Sequence, residues 1–96
     1  MGALPPWGMR RVRAMRALRR VLAQHQAHIC ALCGCAMLSH ERSADHVIAR
    51  SRGGFDGLGN IVACHIRCNV QKNDRPPTGC EVLWLSAVNL RMGIAT

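Results

Sequence analysis

Ala44–Asn73 reads ADHVIARSRGGFDGLGNIVACHIRCNVQKN, and its punctuation decides the fold. Asp45-His46 stands beside Val47 and Ile48, whose branched side chains favour a strand. Gly53, Gly54, Gly57 and Gly59 crowd the next stretch, which therefore reads as a loop rather than an element. Ile61-Val62-Ala63-Cys64 reads as a second short strand. His65 to Lys72 contains no breaker and has the length of about two helical turns. Pro76-Pro77 stops anything before it. The order strand, glycine loop, strand, helix is thus expected within thirty residues.

Working outward, Cys30-Ala-Leu-Cys33-Gly34 has the form of a metal knuckle, a turn that aims two sulfurs at one point. A lone C-x2-C is also compatible with thiol redox chemistry, but no βαβ pattern surrounds this one. A tetrahedral zinc site needs two more ligands, and Cys64, His65 and Cys68 are the candidates. His65-x2-Cys68 repeats the knuckle spacing, so the expected set is Cys30, Cys33, His65 and Cys68 holding a structural Zn²⁺. Cys64-x3-Cys68 is the other pairing that brings two ligands together. Cys35 and Cys80 have no partner in the pattern and are expected to be buried thiols.

Between the knuckle and the central stretch, Met37-Leu38 is expected to start a strand, Ser39 to Ser43 to turn, and Ala44 to Ala49 to return. Upstream, Arg10 to about His28 lacks Pro and Gly and is rich in good helix formers. Met15, Leu18 and Leu22 make its apolar stripe, while Arg13, Arg16 and Arg20 gather on the opposite face. Residues 1–9, with Pro5-Pro6 and two glycines, read as a flexible arm before a single domain over 10–96. Downstream, Thr78-x-x-Glu81 has the capping-box form. A last helix is expected from Gly79 to about Arg91, burying Val82, Leu83, Leu85 and Val88.

Composition sets the limits. A chain of 96 residues whose aromatics are Trp7, Phe55 and Trp84 builds a thin core, which favours a metal staple. Arginine interrupts the N-terminal apolar residues too often for a signal peptide, and Pro6 stands where a myristoylation signal wants Ser or Thr. No apolar run reaches membrane-spanning length. An intracellular, cytoplasmic location with reduced thiols is expected. The net charge of +8, with six arginines and no acid before Glu41, points to a phosphate-backbone partner. Arg13, Arg16, Arg20 and Lys72 are the expected nucleic-acid contacts.

Asp45-His46 carries the chemistry. Neutral imidazole takes a proton from water near pH 7. Carboxylate is a hard ligand for Mg²⁺, and Asn69 can add a carbonyl oxygen from the following helix. Adjacent strand residues point to opposite faces, so a twist or bulge is required to bring both into one site.

The pattern C-x2-C-G, DH-V-I, GG, N-I-V, H-x2-C-N-x2-K resembles the HNH endonucleases, the zinc-stapled branch of the ββα-metal nucleases, over Cys30 to about Asp74. The resemblance implies an α+β fold with a small ββα-metal core, flanked here by an N-terminal basic helix and a C-terminal helix. It makes His46 the general base, Asn60 the loop brace that orients that base, and Asp45 with Asn69 the holders of the catalytic ion. Asn69 stands where the family name has its last His, and His65 stands where Cys is more usual; both are variants within the family. The implied activity is metal-dependent hydrolysis of DNA phosphodiesters. Small free-standing members often come from phage, where they act beside the packaging terminase. The competing readings are a zinc module that binds nucleic acid without cutting it and an accessory subunit of a larger DNA-processing assembly. Charge and knuckles serve all three readings; Asp45, His46 and Asn69 together are needed only by the nuclease.

Overall fold

The computed structural model describes residues 6–94. It is a small α+β domain. Helix α1 runs Pro6–His25, strand β1 Arg42–His46, strand β2 Ile61–His65, helix α2 Ile66–Lys72 and helix α3 Gly79–Met92. Single 3₁₀ turns at Ser39–Glu41 and Arg50–Arg52 shape the connections.

The first helix begins earlier than composition suggested. Pro6 opens it, because proline lacks only an N–H that a first turn leaves unbonded anyway. Residues 6–9 of the expected arm are therefore helical, and residues 1–5 of it lie outside the described residues. The helix also ends sooner. Ala27 and His28 take positive φ (51° and 61°), the left-handed turn that reverses the chain towards the knuckle.

The hairpin is not the one expected from the Met37-Leu38 run. Met37 is buried in the core without joining a strand, and the Ser39–Glu41 turn follows it. The short β1 pairs antiparallel with β2, Arg42 opposite His65 and His46 opposite Ile61. Val47 and Ile48, the best strand formers, lie just past the strand, where the chain enters the glycine loop. Every residue of β2 is buried, so this strand is covered on both faces.

Leu22, Ala23, Cys30, Met37, Ile61, Ala63, Cys64 and Val88 form the main core, which joins α1, the knuckle, β2 and α3. Ala31, Val47 and Val62 form a smaller cluster against Trp84 and Leu85. Gln26, just past α1, is itself buried. Its amide donates to the Ile29 and Ala63 carbonyls (2.9 and 2.8 Å) and its oxygen accepts from the Ala63 N–H at 2.7 Å. One side chain thus serves part of the free edge of β2 as a neighbouring strand would, fixing α1 to the sheet.

Half of the expected capping box forms at α3: Thr78 Oγ accepts from the Glu81 N–H at 3.3 Å, while the Glu81 carboxylate turns to Lys72 and Arg75. Its buried face differs. Val82 and Leu83 are exposed, whereas Glu81, Val88 and Asn89 are buried. Cys35 and Cys80 are exposed rather than buried.

Candidate metal centre and catalytic cleft

The knuckle closes as a turn whose backbone points at sulfur. Cys30 Sγ accepts N–H groups from Leu32 (3.4 Å), Cys33 (3.5 Å) and His65 (3.3 Å). Three N–H donors thus converge on one sulfur and fix its position at the turn.

His65 enters from the end of β2. Its Nε2 lies 3.0 Å from the Ala36 carbonyl, which can only accept. The ring proton is therefore on Nε2, and Nδ1 carries the lone pair. That nitrogen faces Cys33 Sγ at 3.3 Å and Cys68 Sγ at 3.8 Å. The four ligand atoms of Cys30, Cys33, His65 and Cys68 lie within 4.8 Å of one another. A tetrahedral zinc with ordinary bond lengths gives sulfur–nitrogen edges of about 3.6 Å. The cluster fits a metal such as zinc, with the outer hydrogen bond to Ala36 setting the imidazole. Burial, then the neighbouring thiols, pushes Cys68 up to about 12, so a cation binding there displaces the proton of that thiol.

Cys64 is not part of this cluster. It lies fully buried in the apolar core, and burial raises its thiol far above the ordinary value. Adjacent residues of β2 face opposite ways, so His65 turns to the knuckle and Cys64 turns away from it.

On the other side of α2 is the cleft. Asp45, His46, Asn69, Ala49, Arg50 and Asn73 line a cavity of about 190 Å³. Asp45 and His46, neighbours at the end of β1, both line it. His46 Nε2 contacts Asp56 Oδ1 at 2.8 Å. Asp56 comes from the glycine loop, where an acid among glycines carries no sequence signature. Asn69 donates to Ser43 Oγ (3.0 Å) and to the Ala44 carbonyl (3.3 Å), which ties α2 to β1.

Asn60 is a brace. Its oxygen accepts from the Ile48 N–H at 2.9 Å, and its amide donates to the Ile48 and Phe55 carbonyls, each at 2.9 Å. It closes the loop on itself without touching His46 directly. Gly54 is required inside that loop, because a Cβ there would run into the Ile48 carbonyl.

Lys72 corrects an expectation. It is buried, not on a nucleic-acid-facing surface. Its ammonium donates to Asp45 Oδ2 at 2.6 Å and to the His46 and Val47 carbonyls, each at 3.0 Å. A buried ammonium persists only where acceptors and counter-charge surround it. Burial raises the Asp45 carboxyl above its ordinary value, against the pull of Lys72.

Arg13, Arg16 and Arg20 are exposed. With Arg19, His40 and Arg42 they line a groove of about 680 Å³ that holds no acidic side chain. The groove reaches Arg42 at the start of β1, and the cleft lies at the strand's far end, about 13 Å away at strand rise.

Among the described residues no helix is long and apolar enough to cross a membrane. No curated protein matches the chain. The sequence profile of the HNH endonucleases matches residues 30–79, a span that begins at the first knuckle cysteine, takes in the cleft and α2, and covers more than half of the chain. With a ββα core, a Cys₃His cluster and that match, the chain belongs to the HNH endonuclease family.

Proposed function

We propose that the protein is a metal-dependent endonuclease that hydrolyses DNA phosphodiester bonds, with a structural Zn²⁺ on Cys30, Cys33, His65 and Cys68. The observation that carries the reading is the single cavity shared by Asp45, His46 and Asn69. A module that only binds nucleic acid has no need of a candidate base and two candidate oxygen ligands lining one cavity.

In this reading Asp45 and Asn69 hold a divalent ion, Mg²⁺ or a similar cation. When bound, such an ion supplies charge for the phosphate oxygens and for the leaving alkoxide. His46 removes the proton from the attacking water. Asp56 accepts from Nε2–H, which leaves the lone pair of Nδ1 as the base. Asn60 keeps the loop closed, so that Asp56 stays opposite His46. The basic groove supplies the sequence-independent grip on DNA through Arg13, Arg16 and Arg20.

The test is cleavage of supercoiled plasmid by zinc-loaded protein in Mg²⁺ against the same protein dialysed free of Mg²⁺ with its zinc retained. Relaxed or linear product only with Mg²⁺ supports the reading. Tight DNA binding with no cleavage under any divalent ion favours the non-catalytic module.

A further inference from the structure

The buried charges around Lys72 extend beyond the cleft. Lys72 has three N–H donors, and Asp45, His46 O and Val47 O take all three. A second carboxylate nonetheless stands against it: Glu81 Oε2 lies 3.2 Å from Nζ. That oxygen is buried and accepts no hydrogen bond among the described residues. It is there as charge. The other Glu81 oxygen meets Arg75 at 2.8 Å, where the arginine is substantially exposed.

The arithmetic of the site explains the need. Asp45 and Lys72 alone sum to zero, which is a poor host for a divalent cation, and the ammonium repels one. Glu81 restores a net negative charge to the buried cluster, while Arg75 and Arg50, the cleft's own cation, are exposed to solvent and count for less. Glu81 belongs to α3 and lies outside the 30–79 match, so this contribution comes from the flanking helix rather than from the family core.

We infer that Glu81 is a positioning residue of the cleft: acting through Lys72, it offsets the ammonium's charge and so sets the affinity of Asp45 for its divalent ion. The inference rests on the reading of Asp45 as an ion ligand. Ion binding is read directly, by Mn²⁺ electron paramagnetic resonance on zinc-loaded protein, with cleavage as a second readout. Glu81→Gln should weaken Mn²⁺ binding by about tenfold, the low end of the effect of a direct outer partner, because Glu81 acts one contact further out. The cleavage rate at saturating Mn²⁺ should stay near that of wild type. The double variant Glu81→Gln with Lys72→Gln removes both charges and should regain most of the lost affinity. A merely structural role for Glu81 predicts the reverse, since the double variant would then be the worse one. Zinc content and circular dichroism check that each variant folds. If Asp45→Ala loses Mn²⁺ but Glu81→Gln binds it as wild type does, the inference is overturned and the ion site stands. If Asp45→Ala binds Mn²⁺ unchanged, the ion-site reading fails and the inference with it.

Discussion

Replacing Asn60 by Ala should loosen the loop that carries Asp56 without disturbing the metal cluster. The substitution removes three hydrogen bonds and leaves the Ile48 N–H, the Ile48 carbonyl and the Phe55 carbonyl without their partner. At about 1 kcal/mol net per bond the loss is about 3 kcal/mol. Ile48 and Phe55 are exposed residues, and water reaching their carbonyls reduces this to about 2 kcal/mol. For a domain of this size the Tm should fall by about 8–16 °C. The local signature is sharper. The Ile48 amide should exchange about 30-fold faster in zinc-loaded protein, the equivalent of 2 kcal/mol. Amides of the Cys30–Cys33 knuckle should keep their relative protection. Hydrogen exchange followed by NMR measures both. Ile48 protection within twofold of wild type, with Tm unchanged, would refute the brace.

Other outcomes follow from the same geometry. Chelation of zinc should unfold the domain, Cys68→Ser should lose the metal and Cys64→Ser should retain it, as read by elemental analysis and circular dichroism. Arg13, Arg16 and Arg20 changed together to Gln should weaken DNA binding at every sequence and make its salt slope shallower by about 2–3, measured by anisotropy titrations across salt. Asp56→Asn should lower kcat by about tenfold or more with KM little changed, because it disturbs the base rather than the DNA grip.

The sequence made the staple and the second half of the core legible because those features are local. Two C-x2-C-type spacings, a glycine cluster and a proline stop act within a few residues of themselves. Strand β1 was harder. Arg42-Ser43-Ala44-Asp45-His46 has little β propensity, and pairing with the wholly buried β2 places the strand there. The knuckle spacing favours His65 over Cys64, and the facing of β2 supplies the physical reason, since Cys64 turns into the apolar core. Lys72 was misplaced because a lysine late in a helix reads as surface. Its burial depends on Asp45 from one strand and Glu81 from a later helix, two contacts with no sequence pattern. Asp56 was missed for the same reason: its partner His46 lies across a loop whose closure depends on Asn60.

The central claim is that His46 activates water in the cleft beside Asp45 and Asn69. The measurement that tests it most directly compares His46→Ala with wild type on supercoiled plasmid in Mg²⁺, at matched zinc content and matched DNA binding. The account predicts a rate lower by about 10²–10⁴-fold for the variant. Equal cutting by the two proteins would contradict it.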